Sequence, residues 1–316
     1  MEVPPLIASN HHDSDALYVG VDIGGTKVIV QIVDRNGRVV FRHKTTTSND
    51  LNHIAQIVNE CVSESQVNIN HIAGYGFGVP AVTDIHQGIV IEAPALQWHG
   101  LNFVEQMEAL LRKPVTVEND VNCAALGERW LGSAQFTDDF VFIAIGTGVG
   151  AAIVSGGKIL YGNGFMAGEI GYLLSEEDWE ENMKYTFKGF GALEEKISGR
   201  ALSSHRILPD MILKQFKEGK GEGFDIFTSY LKTLSITIAN LASLLNPKKI
   251  VLGGGVSQAL SEVLDCLRDQ VGKMSPVPVT IECSKLGENA GAYGAAAFLI
   301  NKLAEQKKQY EDGIIV

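Results

Sequence analysis

The run VGVDIGGTKV, Val19–Val28, sets an acidic residue, Asp22, in an apolar stretch directly before Gly24, Gly25 and Thr26. These residue types suit a phosphate cradle: the glycines let backbone N–H groups approach phosphate oxygens, and the threonine hydroxyl adds a donor. A carboxylate beside phosphates is repelled unless a cation stands between them, so Asp22 points to Mg²⁺, bound directly or through water. A strand ending in an ordinary hairpin turn would account for the same residues. Lys27 follows the turn, but strand alternation turns it away from Thr26 and makes it a surface lysine.

The plan recurs downstream. FVFIAIGTGVGAAIVSGGKIL, starting at Phe140, repeats the order of apolar strand, Gly-Thr turn, strand, Gly turn and strand. Ile23-Gly24 corresponds to Ile145-Gly146 and Gly37 to Gly157, the second copy being shorter by two residues between those landmarks. A hairpin alone needs no such echo. Two related turns suit the two sides of a cleft that holds one polyphosphate, with Gly146, Thr147, Gly148 and Gly150 as the second cradle.

The elements behind these turns read as α/β. The β-branched runs and the Asn36-Gly37 turn predict a β-meander from Leu17 to Arg42. A helix is expected near Leu51–Ser65, another near Val104–Leu111, and a long one over Phe224–Leu245, stopped by Asn246-Pro247. KKIVLGGGVS reads as a buried strand entering a triple-glycine turn, with a helix following to about Gln270. GENAGAYGAAAFLINKLAEQKK is a helix rich in small residues, which suit either close approach of a nucleotide or a tight packing face.

With 316 residues, 45% of them hydrophobic and 20% charged, the chain has the makeup of a soluble globular protein of one large or two ordinary domains. The net charge of −11, without a basic run to offset it, excludes a polyanion such as DNA as a partner. Cys61, Cys123, Cys266 and Cys283 are scattered and form no C-x-x-C, which fits reduced thiols of a cytoplasmic protein. No apolar run reaches the ~20 residues that span a bilayer. Residues 1–16 lack the pattern of a secretion signal and are expected to form a mobile tail, with His11 and His12 solvated.

Eight motifs, in order from about Tyr18 to about Ile300, resemble the ROK family of bacterial sugar kinases and related repressors, within the actin/Hsp70-like ATPase superfamily. They are DIGGTK, GFGVPAV, VENDVNCAALGE, IGTGVGAAIV, GFMAGEIGY, LEEKISGRAL, LGGGVS and GENAGAYGAA. The resemblance implies an α/β, two-domain actin-like (ribonuclease H-like) fold with an interdomain cleft. Residues 17–120 plus 291–316 would form the smaller domain and 121–290 the larger. It implies a homodimer through the larger domain, and ATP with Mg²⁺ as phosphoryl donor. Gly253, Gly254 and Gly255 would lie by the base and ribose, with Asn289 and Ala290 nearby.

A sugar hydroxyl needs a base within hydrogen-bond reach, because its own pKa is too high for ionisation at neutral pH. Asp120 closes the strand PVTVEN and opens the next helix, so it could serve as that base or simply cap the helix, a role Asn119 could also fill. The resemblance assigns Asp120 as base and Asn119 as a sugar ligand. It also makes Glu169 and Glu194 acceptors for sugar hydroxyls, Glu195 being the adjacent alternative to Glu194.

This sequence departs from the family at named places. The family carries GH after the first of these glutamates, then a C-x-C-G-x-x-G-C cluster for structural zinc. Here the histidine position holds Tyr172 and the cluster region reads YTFKGFGALEE, without a cysteine, so no zinc is expected there. The acidic SEEDWEEN between them reads as a solvated loop. Ala81 and Ala95 stand where a glycine and an asparagine are common, which leaves sugar specificity open, while Tyr172 offers a hydroxyl to the sugar. The expected activity is sugar phosphorylation. A repressor would need a DNA-binding unit that sixteen residues before Leu17 are too few to build. A non-catalytic sugar or nucleotide sensor, or a kinase using polyphosphate, are the alternatives.

Overall fold

The structure, a computed structural model, describes residues 15–180 and 189–312. Most of the expected tail, with His11 and His12, lies outside the described residues, as do 181–188 of the region where the family carries cysteines.

The meander forms as the pattern predicts. Strands β1 (Leu17–Ile23), β2 (Lys27–Asp34) and β3 (Val39–Thr46) pair antiparallel in succession. Outer strand β3 carries Arg42, His43 and Lys44, charges that discourage pairing with another chain. Helix α1 (Leu51–Glu64) begins at Asp50, whose carboxylate accepts from the Asn52 N–H at 2.9 Å, and buries Ile54, Ile57, Val58 and Cys61. Strand β4 (Ile72–Val79) returns parallel to β1. A small antiparallel sheet follows, β5 (Val82–Asp84), β6 (Ile89–Ala93) and β7 (Trp98–Asn102). Next come α2 (Phe103–Leu111), β8 (Val115–Asn119) and α3 (Asp120–Leu131).

The second copy opens with β9 (Phe140–Ile145), β10 (Val149–Ser155) and β11 (Lys158–Ile159). It continues through α4 (Glu176–Glu180), α5 (Ala192–Ile197), α6 (Gly199–Ser203), α7 (Pro209–Glu218) and α8 (Glu222–Leu245). Strand β12 (Lys249–Gly253), helices α9 (Ser257–Ser261) and α10 (Leu264–Met274), and β13 (Thr280–Cys283) complete it. The single helix expected up to Gln270 is thus two, broken around Glu262 and Val263. Helix α11 (Ala290–Glu311) ends the described chain, and no described helix is long and apolar enough to cross a membrane.

The repeat seen in the sequence is a repeat of topology. One five-stranded sheet runs β3-β2-β1-β4-β8 and the other β11-β10-β9-β12-β13. In each, the first three strands form an antiparallel meander and the last two add in parallel. The parallel strands lie between covering helices, so β1 reads as a nearly continuous apolar run.

The described chain divides into two compact units. Unit 1 takes 15–136, 162–166 and 289–312, and unit 2 takes 137–161, 167–180 and 189–288. The division falls after Phe136 and not at the expected 120, because α3 packs along α11. That packing is backbone against backbone. A Cβ on Gly294 of α11 would overlap the Cys123 carbonyl of α3, and one on Gly20 of β1 would overlap the Ala292 carbonyl of α11. The small residues of α11 are therefore a packing face. Unit 1 is closed on its other side by Ile54, Val58, Phe77, Phe103 and Met107. In unit 2, Phe227, Leu231, Leu234 and Ile238 of α8 pack with Ile143, Ile250 and Leu252 of the sheet.

Candidate active site

In unit 1 the parallel strands β1, β4 and β8 end together. Asp22 pairs with Gly78, Gly78 with Glu118, and Val79 with Asn119. Carboxyl ends of parallel strands are where open α/β sheets bind their ligands. Asp22 comes from the end of β1, and Asp120 opens α3 directly after β8.

The contest between Asn119 and Asp120 for the helix cap resolves in the structure. Asn119 Oδ1 accepts from the N–H groups of Val121 at 2.9 Å and Asn122 at 3.0 Å, while its Nδ2 donates to the Ala81 carbonyl at 3.1 Å. Asn119 is the cap. Asp120 Oδ1 accepts from the Val121 N–H at 2.9 Å, and burial raises its pKa to about 6 although this bond and one from its own N–H oppose the rise. Beneath the pair lies Glu118, only 1% exposed, whose Oε1 accepts from the Asn119 N–H (2.8 Å) and Asn122 Nδ2 (3.0 Å). Sequence reasoning missed Glu118. Its signal was an acidic residue inside a short strand, directly before Asn119 and Asp120.

The Asp22 carboxylate accepts no hydrogen bond among the described residues. The first turn of α11 presses on it: a Cβ on Gly291 would stand 2.5–2.7 Å from its carboxyl atoms. Burial raises Asp22 to about 7, the charge of Asp120 adds to the rise, and Lys27 opposes it. Lys27 is half-buried and acts electrostatically on Asp22, which corrects its reading as a surface lysine. Lys27 opens the strand antiparallel to β1, directly across the turn, and that proximity outweighs which face it occupies. A half-buried carboxylate that accepts no hydrogen bond from the described residues fits a bound divalent cation, Mg²⁺ needing only one or two protein carboxylates when phosphates supply the rest.

Both carboxyls titrate higher in the folded chain than their ordinary 3.8. Between that value and about 7 the folded state holds more protons than the unfolded, so their contribution to stability falls as pH rises through this window. Asp22→Asn is accordingly expected to raise the melting temperature of the metal-free protein at pH 8 by about 3–8 °C. The gain should shrink towards pH 4. An unchanged melting temperature at pH 8, followed by circular dichroism, would show that this charge carries no cost.

In both glycine turns the first glycine donates within the turn, over three residues in one and two in the other. The Gly24 N–H closes its own turn on the Lys27 carbonyl at 2.8 Å, and the Gly146 N–H does so on the Gly148 carbonyl at 2.9 Å. The first glycine of each cradle is thus a turn former. Among the described residues, the N–H groups of Gly25 and Thr26 in unit 1, and of Thr147 and Gly148 in unit 2, donate no backbone hydrogen bond. The Thr47 hydroxyl donates to the Gly24 carbonyl at 2.8 Å and steadies the first turn. Gly253, Gly254 and Gly255 follow β12, which runs parallel to β9, and the Val256 N–H reaches the Ile145 carbonyl at 3.0 Å. Gly254 has φ +84°, and Gly255 faces open space.

Unit 2 also brings Glu169 and Glu194 together with Tyr172. Burial and the charges of Glu169 and Glu194 together raise the Tyr172 pKa, so the three side chains share one neighbourhood. The Tyr172 hydroxyl donates to the Gly189 carbonyl at 3.0 Å. Glu194 is the third residue of α5. Its Oε1 accepts from the Val149 N–H at 2.8 Å and its Oε2 from the Gly191 N–H at 3.2 Å.

The acidic stretch read as a solvated loop contains α4, and Asp178 in it is 6% exposed. Burial works to raise its pKa, but the N–H and hydroxyl of Ser175, at 2.6 Å each, and Lys196 at 3.1 Å hold it low. Hydrophilicity alone could not reveal that Lys196 of α5 supplies a counter-charge.

Three comparisons bear on this arrangement. The glucokinase of Halalkalibacterium halodurans is 30% identical over 315 residues, covering 89% of this chain and 94% of its own. The xylose repressor of Caldicellulosiruptor bescii is 24% identical, covering 95% of this chain and 82% of its own. The solved structure of a ROK family glucokinase from Streptomyces griseus, in complex with glucose and AMPPNP, superposes with a TM-score of 0.74 at 27% identity, over 90% of this chain and 99% of that one. The architecture is the α/β fold of actin-like ATPases. The model of the ROK family matches residues 18–302, nearly the whole length of both duplicated sheets and the helices between them, and the chain belongs to that family.

Proposed function

We propose that the protein is a carbohydrate kinase that transfers the γ-phosphoryl group of ATP to a hydroxyl of a hexose or N-acetyl-hexosamine. The observation that carries this reading is Asp120. The neighbouring Asn119 caps α3, and the Asp120 carboxylate titrates at about 6, close to the working pH of a general base. Asp120 would take the proton of the sugar hydroxyl as its oxygen bonds to the γ-phosphorus. The bond from that phosphorus to the β,γ-bridging oxygen breaks, and ADP leaves.

Asp22 would hold Mg²⁺, which supplies positive charge against the phosphates when bound. Gly25 and Thr26 on one turn, Thr147 and Gly148 on the other, would donate to phosphate oxygens, and Gly253–Gly255 would line the nucleoside. Glu169 and Glu194 would accept from sugar hydroxyls, joined by Tyr172 and by the remaining N–H of Asn119 Nδ2. The glucokinase relative and the glucose–AMPPNP complex of the Streptomyces protein support both substrates.

The test is a coupled ADP-release assay with Mg-ATP across glucose, fructose, mannose, N-acetylglucosamine, N-acetylmannosamine and allose. Strong turnover that depends on one of them is expected. Turnover only with polyphosphate would replace the donor. Binding without turnover under either donor would leave a sensor, the reading that similarity to a repressor favours.

A further inference from the structure

The Gly146–Val149 turn of unit 2 is closed by its own Gly146 N–H and is also held from outside. Its Gly146 carbonyl accepts from the Gly199 N–H at 2.7 Å, and the Val149 N–H at its other end donates to Glu194 Oε1 at 2.8 Å. Between them Gly148 lies so close that a Cβ there would overlap the same Oε1. Both ends of the turn are therefore gripped by the short segment 191–199. Glu194 is locked in turn by the Gly191 N–H on its second oxygen.

We infer that Glu194 is a positioning residue for the nucleotide as well as a sugar ligand, and that one carboxylate links the two binding events. This rests on the kinase reading above. A sugar hydroxyl donating to Glu194 draws on the atoms that keep the Gly146–Val149 turn in register, so sugar affinity and phosphate affinity are coupled. Thermodynamic linkage makes that coupling reciprocal. The chemistry requires a carboxylate. Two backbone N–H groups approach two different oxygens, and a glutamine offers one acceptor and one NH₂, leaving one N–H facing a donor.

The discriminating experiment omits sugar. Titration calorimetry would measure the Kd of Mg-AMPPNP for sugar-free wild type, Glu194→Gln and Glu169→Gln. A residue that only binds sugar has no effect in this assay. The expected result is nucleotide binding weakened about tenfold or more in Glu194→Gln, the loss of a charge-assisted hydrogen bond, with Glu169→Gln matching wild type. Equal Kd values for wild type and Glu194→Gln would overturn the coupling while leaving the kinase reading intact. A wild type that binds no Mg-AMPPNP would overturn the ATP reading, and the coupling with it. Should Glu194→Gln fail to fold, amide hydrogen exchange on the wild type decides. Val149 should exchange far more slowly than Thr147 in the same turn, and equal rates would show that the brace is absent.

Discussion

Asp120→Asn is expected to lower kcat by about 10²–10⁴-fold, the range over which general-base catalysis contributes. The sugar Kd should change little, because asparagine keeps the shape and one acceptor of aspartate while losing the ability to take a proton. Folding should survive, since α3 is capped by Asn119 independently of its neighbour. The pH profile separates this role from a structural one. Asp120 titrates at about 6 in the folded chain, so the wild-type rate should fall as pH drops through that value and the base becomes protonated. The variant should lack that limb. Steady-state kinetics on the sugar that turns over would settle it: a near-normal kcat would remove Asp120 as the base, and a parallel collapse of sugar binding would make it a ligand first.

The largest effect on stability is expected from Gly294→Ala. The added methyl would meet the backbone carbonyl of Cys123, which cannot swing aside as a side chain can. Separating α3 from α11 should cost about 3 kcal/mol or more, read from denaturant unfolding. Gly272→Ala, in α10, provides the contrast. No atom lies within 4 Å of its added Cβ, so the same substitution should stabilise by about 0.4–1 kcal/mol through the unfolded chain. A Gly294→Ala protein as stable as wild type would mean that the two helices do not touch at that point.

What the sequence made legible was whatever depends on local pattern. The meander, the long helix α8, the duplicated turns and the strand-to-helix placement of Asp120 all follow from periodicity, turn residues and spacing. The misreadings share a cause in contacts between distant residues. The spacing of Gly24 and Gly146 does not reveal that their N–H groups close their own turns. Lys27 looks like a surface residue until β2 folds back and sets its charge near Asp22. Asp178 looks solvated until Lys196 arrives from a segment beyond it. The unit boundary slipped for the same reason: no linker composition marks it, and what assigns α3 to unit 1 is a glycine nearly three hundred residues into the chain.

That same helix α11 gives the molecule an order of assembly. Unit 2 lies almost entirely within one continuous stretch, whereas unit 1 begins with β1 and is completed only by α11. A chain emerging from the ribosome from its N-terminus has every piece of unit 2 in hand before the helix that seats on β1 and α3 has been made. Synthesis at about 5–20 residues per second leaves the first sheet waiting for tens of seconds with that face uncovered. The half of the protein written first is therefore the half that finishes last, and the nascent β1–β4 surface is where a holding chaperone has most to protect.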